Sequence, residues 1–367
     1  MTAMKLSPLL IAVCLVAANA AAQTYRVVDL ATLSPGNGTV VRGPNSSGEG
    51  SGGGILESAQ ARGGRRALLF ETSGARQVAA PTDSDIAVVY GLNDVGAYVG
   101  SFNANAHTAV RAFVGTRAGS SRELPPLAGD SASVAYALNN QGQAVGFSSG
   151  VGGQRAVIWD ADGTPAALPA FAGIRSRATG INERGDVSGV GSTAAGQRPI
   201  LWRSGEPAVE LMLLAGHTTG EANAINSRGD VVGYSSDASS MRRAALWPSN
   251  GGVIDLGTLP GGDFSQAFGN NNAGDIVGTS TSSIGSRAVL WTRGAVQDLN
   301  SLVAPSTFVL TKAVGITAGG AIIAIGHVPA AGHHAAPAQG SGGHDHDADA
   351  HDLPVRVFLL VRSGATP

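Results

Sequence analysis

Five histidines crowd one stretch near the end of the chain: His333, His334, His344, His346 and His351, within VPAAGHHAAPAQGSGGHDHDADAHD (328–352). With His327 they make six of the eight histidines in 367 residues, and Asp345, Asp347, Asp349 and Asp352 lie among them. Neutral imidazoles beside carboxylates suit zinc, copper or nickel, and two or three of them could chelate one ion. The same stretch is rich in Gly, Ala and Pro and holds no apolar side chain larger than valine before Leu353. It therefore reads equally as a solvated, disordered spacer with no preformed ligand geometry.

A second set of chemistry-bearing side chains is scattered at regular intervals: Asp83, Asp85, Asp130, Arg175, Arg177, His217, Glu221 and Asp263, in the segments APTDSD, AGDSAS, FAGIRSR, AGHTTGE and PGGDFSQ. If these segments converge on one face they could bind a ligand; as isolated turns they are solvated. No catalytic residue can be assigned. There is no G-x-S-x-G elbow, no H-E-x-x-H pair and no phosphate-cradling loop. The single cysteine, Cys14, lies in the leader. A hydrolase or lyase assembled from Asp, His and Arg of separate segments stays open. A net charge of −2, with charged residues at 14%, leaves no basic stripe for nucleic acid and no polybasic membrane patch.

What must position these side chains is a repeat. Arg66, Arg111, Arg155, Arg198, Arg243, Arg287 and Arg356 each open a short apolar run such as RAVIW or RAALW, at intervals of 45, 44, 43, 45, 44 and 69 residues. The last interval is longer by about the length of the histidine-rich insertion. Ahead of each arginine comes G-x-N-x-x-G-x-x-x-G, as GLNDVGAYVG, ALNNQGQAVG, GINERGDVSG, AINSRGDVVG and GNNNAGDIVG. Its asparagines are Asn45, Asn93, Asn139, Asn182, Asn226 and Asn271, with Thr317 in the seventh place. Asn followed three residues later by Gly is a hairpin-turn signal, since the amide bonds its own backbone and glycine takes positive φ freely. A fourth strand follows in RELPPL, VELMLL, IDLGTL and QDLNSL, and its one displaced copy is YRVVDLATL at the start.

Four strands in about 45 residues, with complementary gaps at the two ends, predict an all-β fold. The expected form is a seven-bladed β-propeller of four-stranded blades, its ring closed by the N-terminal strand. Such closure removes two sheet edges that would otherwise template aggregation. Trp159, Trp202, Trp247 and Trp291 share one strand position, where they serve either as packing between blades or as a platform for sugars. The seven arginines serve either as ligands for backbone carbonyls or a carboxylate between blades, or as a ring of charge for an anion. Asp186, Asp230 and Asp275 lack the dense D-x-D-x-D spacing of a calcium loop and read as turn residues.

The first 22 residues carry one charge at Lys5, an apolar run from Leu9 to Ala18 and small residues at Ala18, Ala20 and Ala22. They read as a signal peptide, too short in apolar length to span a bilayer. The mature chain, 23–367, is then expected outside the cytoplasm, periplasmic or extracellular, and monomeric. The phrase DLGTLPGGDFSQAFGNNNAGDIVGTSTSSIGSRAVLW, Asp255 to Trp291, resembles the HAF family of bacterial extracellular repeat proteins, whose units combine D-L-G-T-L, G-x-N-x-x-G-x-V-G and R-A-x-x-W. The resemblance covers essentially the whole mature chain and departs from the pattern at Thr317 and Ala324. It implies a repeat and carries over no catalytic residues. The sequence thus points to a secreted noncatalytic scaffold binding a polysaccharide or protein partner, or to a metal-binding envelope protein.

Overall fold

The computed structural model describes residues 25–33, 40–43, 50–54, 66–81, 86–104, 109–171, 175–328 and 354–363. The expected signal peptide, the Asn45 turn and the histidine-rich insertion beyond Val328 lie outside the described residues. Strand β1 is Tyr25–Leu33. Then β2 (Val40–Arg42), β3 (Gly50–Gly54), β4 (Arg66–Glu71) and β5 (Gly74–Gln77) make one sheet in chain order. A second holds β6 (Ala87–Leu92), β7 (Ala97–Ala104), β8 (Ala109–Thr116) and β9 (Ser121–Leu124). A third has β10 (Ala132–Leu138), β11 (Ala144–Gly150), β12 (Gly153–Trp159) and β13 (Pro165–Ala167).

The fourth comprises β14 (Arg175–Ile181), β15 (Val187–Thr193), β16 (Gly196–Trp202) and β17 (Val209–Glu210). The fifth comprises β18 (Thr219–Ile225), β19 (Val231–Ser236), β20 (Arg242–Trp247) and β21 (Ile254–Asp255), and the sixth β22 (Ser265–Asn270), β23 (Ile276–Ser282), β24 (Gly285–Thr292) and β25 (Ala295–Asp298). The last sheet is β26 (Val309–Ile316), β27 (Ile322–His327) and β28 (Val355–Arg362), with β1 hydrogen-bonded on the far side of β28. The described residues thus form seven four-stranded antiparallel sheets, six of them regular and one, β2–β5, thin, with an inner strand of only three residues. This is a β-propeller of four-stranded blades.

The core lies between the blades, because each sheet is apolar on both faces and buries each against a neighbour. Val99, Ala112 and Leu124 of one blade pack on Ala135, Val157 and Trp159 of the next. Likewise Leu30, Leu33 and Leu359 of the last sheet pack on Val41, Leu68 and Phe70 of the first. The first strand of each sheet contacts the first strand of its neighbours, and β2 touches both β6 and β26. β1 runs antiparallel to β28 from Tyr25 opposite Arg362 to Leu33 opposite Val355.

The repeated residues are consumed by this architecture. In each described N-x-x-G turn the glycine has positive φ, 82° at Gly142. The asparagine does more than make a turn. The Oδ1 of Asn226 accepts from the backbone of Arg228 and Asp230, and its Nδ2 donates to the carbonyl of Asn271 in the next blade at 3.0 Å. Asn93, Asn139, Asn182 and Asn271 reach the following blade in the same way, the last to the carbonyl of Thr317. Thr317 itself keeps only the local half, accepting from the backbone of Ala321. The last glycine of the motif faces the inner strand: a Cβ on Gly100 would sit 1.9 Å from the carbonyl oxygen of Val88. Where Ala324 replaces it, the inner strand β26 carries a second register shift, between Leu310 and Lys312.

The repeated arginines meet carboxylates of their own blade's fourth strand: Arg111 with Glu123, Arg198 with Glu210 at 3.1 Å, Arg243 with Asp255, Arg287 with Asp298 and Arg356 with Asp29. The blade whose fourth strand is Pro165–Ala167 has no acid there, and Arg155 pairs with Asp130 instead, at 2.9 Å. The carboxylate is therefore mostly within the blade rather than between blades; what crosses is the guanidinium of Arg111 to the carbonyl of Ser131, and that of Arg198 to Thr218. These arginines form no open ring of charge. The four tryptophans are at most 3% exposed, which leaves no ring face for a sugar. Three donate Nε1–H to a carbonyl of the preceding blade: Trp159 to Pro125, Trp202 to Pro169 and Trp247 to Met212. Trp291 Nε1 has no partner among the described residues.

Candidate functional site

The inner strands carry a β-bulge at one fixed position, three residues before the repeat asparagine. The register slips between Val89 and Gly91, Ala135 and Ala137, Ala178 and Gly180, Ala222 and Ala224, and Ala267 and Gly269. The skipped residues are Tyr90, Tyr136, Thr179, Asn223 and Phe268. A bulge leaves its extra residue out of the ladder and re-aims its side chain, so each of these five blades presents one such residue beside the next inner strand. Gly91 has no room for a Cβ, which would lie 2.8 Å from the carbonyl oxygen of Tyr136, and this close approach brings Tyr90 and Tyr136 together edge-on at 5.1 Å. Thr179 and Asn223 instead tie their side chains to the carbonyls of Ala222 and Ala267 in the following blade.

Cations cover the aromatic faces. The guanidinium of Arg42 lies 5.9 Å from the Tyr90 ring centroid, Lys312 Nζ 4.4 Å from that of Phe268, and Arg242 4.4 Å from that of Tyr234. Arg177 on β14 donates to Glu221 on β18 at 2.6 Å, Tyr234 O–H reaches the other oxygen of Glu221 at 3.5 Å, and Arg242 donates to Gln266 at 3.0 Å. These groups form one electrostatic neighbourhood. Burial pushes the Tyr136 phenol up, against the opposing pull of Arg177 and Arg42, with Tyr90 and Glu221 adding to the rise. Burial also pulls Arg42 down, countered by Tyr90, Tyr136 and Glu221. For Arg177, burial lowers and Glu221 raises, and the carboxylate wins. Arg42 remains open to water while wall atoms crowd around it, and among the described residues no carboxylate pairs with it. Among the described residues Arg177 is thus paired with Glu221, while Arg42 rests on the Tyr90 ring.

Of the described side chains singled out in the sequence, the structure pairs Arg177 with Glu221. Asp130 is held by Ser148 and Arg155; burial would raise its carboxyl, but those two bonds outweigh it and keep it below the usual value. Arg175 is exposed at the start of β14. His217 Nδ1 is buried with no hydrogen-bond partner among the described residues, its backbone N–H bonded to the Leu214 carbonyl. Asp263 is exposed and accepts from Thr281. Asp83 and Asp85 lie outside the described residues, as do the histidines of the expected metal set. Among the described residues no group of three His, Cys, Asp or Glu could hold a metal ion. Asp186 and Asp230 are engaged by Arg184 and Arg228.

The inner-strand residues Arg42, Tyr90, Tyr136 and Phe268 were not singled out by their types. The available signal was positional: counted back from the repeat asparagine, one column holds Arg, Tyr, Tyr, Thr, Asn and Phe, a variation in size and charge inside an otherwise small or aliphatic strand.

No family model matches the chain, and no curated protein matches it. Among solved structures it is similar to the β-propeller domain of the Trilobed protease from Pyrococcus furiosus, at 10% identity over 79% of this chain and 90% of that one, TM-score 0.51. It is similar also to puromycin hydrolase, at 12% identity over 82% of this chain and 50% of that one, TM-score 0.50. TolB from Acinetobacter baumannii matches at 13% identity over 71% of this chain and 63% of that one, TM-score 0.46. The chain spans less than two thirds of TolB and half of puromycin hydrolase. These likenesses are of fold alone. The Pyrococcus propeller has an open velcro topology, whereas β1 and β28 are paired here. No helix among the described residues is long and apolar enough to cross a membrane.

Proposed function

We propose that the chain is an exported, noncatalytic binding scaffold of the HAF repeat type, a seven-bladed ring closed by its N-terminal strand, that recognises a protein partner at the central channel. Closure is supported by the β1–β28 ladder, by the packing of Leu30 and Leu33 on Leu68 and Phe70, and by the contact of β2 with β26. Export rests on the leader, residues 1–22. The observation that carries the binding role is the channel wall: most of the recurring Arg, Asn and Trp side chains among the described residues are absorbed by structure, while the variable column three residues before the asparagine gathers charge and aromatic surface. Cations on the aromatic faces leave little ring surface for stacking a sugar, which favours the protein partner over the polysaccharide.

The test is a screen of the chain from Gln23 onward against a peptide display library and a glycan array, alongside peptide and ester substrates. Saturable capture of peptides without turnover is expected. Turnover together with silence on both libraries would reverse the reading.

A further inference from the structure

Arg42 on β2, Arg177 on β14 and Lys312 on β26 all stand on inner strands, as does Glu221 on β18. Arg177 is already paired with Glu221, at 2.6 Å. Arg42 is different: its contact is the face of Tyr90, and Tyr136 and Glu221 lie within its electrostatic reach without pairing to it. A guanidinium stacked on an aromatic ring is held in orientation while its N–H donors stay available for a planar acceptor. The Tyr90 and Tyr136 hydroxyls make no hydrogen bond within the described structure and are not sealed from water, so they add donors on the same wall.

We infer that the channel wall formed by Arg42, Tyr90, Tyr136 and Lys312 is a binding site for the side-chain carboxylates of an acidic peptide. This rests on the reading of the chain as a protein-binding scaffold and names the chemistry of its partner. Arg42, a guanidinium with no paired carboxylate among the described residues, sets the sign of the ligand. The planar guanidinium fork selects a carboxylate that it can grip with two N–H groups. Arg42 over Tyr90 and Lys312 over Phe268 disfavour stacking of the sugar rings of a uronate polymer, and both cations stand on strands, β2 and β26, rather than on loops.

Calorimetry at low ionic strength with a blocked hexaglutamate peptide tests the site, with hexaglutamine, oligogalacturonate and inorganic phosphate as separate arms. Hexaglutamate should bind at a single site and hexaglutamine should not. Arg42→Gln and Lys312→Gln should each weaken hexaglutamate by about tenfold or more, the loss of one charge-assisted contact, with thermal unfolding unchanged. Either variant alone suffices if the other fails to fold. Equal binding by the wild type and both variants, or no binding of hexaglutamate, would overturn the assignment, as would preference for oligogalacturonate or phosphate. Peptides selected from the display library with no acidic bias would also overturn it while leaving the scaffold reading intact. Only failure of every peptide and glycan to bind would remove both.

Discussion

A repeated side chain in this protein is worth what its bonds are worth, and those differ from copy to copy. Trp202 donates to the carbonyl of Pro169 at 2.9 Å, whereas Trp291 Nε1 has no acceptor among the described residues. Both are buried, so replacement by phenylalanine removes similar packing from each. Trp202→Phe should therefore cost about 1 kcal/mol more than Trp291→Phe, read from denaturant midpoints at equal slopes. Asn226 fills a larger role, holding two backbone donors of its own turn and one carbonyl of the next blade. Asn226→Ala should cost about 2–3 kcal/mol, because it strands buried backbone groups as well as losing bonds. Read from sequence, these residues are recognisable by recurrence, and the turn role of the asparagine follows from its spacing to glycine. Its reach into the neighbouring blade does not, since a partner some 45 residues away leaves no local mark. The channel wall was hidden for the opposite reason: it is made of what varies between repeats, and Tyr90, Phe268 and Arg42 share a column without sharing a type.

At the scale of elements, five of the described sheets have their fourth strand tied to the third by a repeat guanidinium–carboxylate pair over an apolar ladder. The two contributions are unequal. Arg356 and Asp29 join β28 to β1, yet their side chains remain 28% and 40% exposed, so solvent screens the pair. Leu33, at the end of the same strand, is fully buried. Asp29→Asn should change stability by less than about 1 kcal/mol, and Leu33→Ala should cost about 2–5 kcal/mol; urea unfolding of the two variants checks the ratio. Strand order and the outer position of β1 were readable because the sequence has one D-L-x-T-L copy at its start and lacks one at its end. The bulges were not readable, because strands buried on both faces have no polar–apolar alternation whose phase the extra residue would visibly shift.

For the whole molecule, what matters is how one blade holds the next. Asp275 in the sixth sheet accepts from Arg362 on β28 at 2.5 Å and from Thr292 at 2.6 Å, and Arg362 also donates to the Tyr25 hydroxyl on β1. Burial would raise the Asp275 carboxyl, but the Thr292 hydroxyl and the Arg362 guanidinium outweigh it and hold it below the usual aspartate value of 3.8. A lowered folded value means the unfolded chain takes up the proton first. The stabilisation is present in full above pH 3.8 and is lost as the pH falls through the folded value. Asp275→Asn should therefore lower stability at neutral pH and flatten the acid limb of the melting profile; an unchanged limb would show that the bridge does not couple the blades.

The N-terminal strand completes the sheet made by the last three. Removing Tyr25–Leu33 takes away three buried apolar side chains, Tyr25, Leu30 and Leu33, and bares the edge of β28. Thermal unfolding of the chain shortened by that segment measures the consequence directly. A single transition at markedly lower temperature is expected, with a loss on the order of 5 kcal/mol that is reversed on adding the peptide YRVVDLATL. Native stability without the segment, and no response to the peptide, would contradict it.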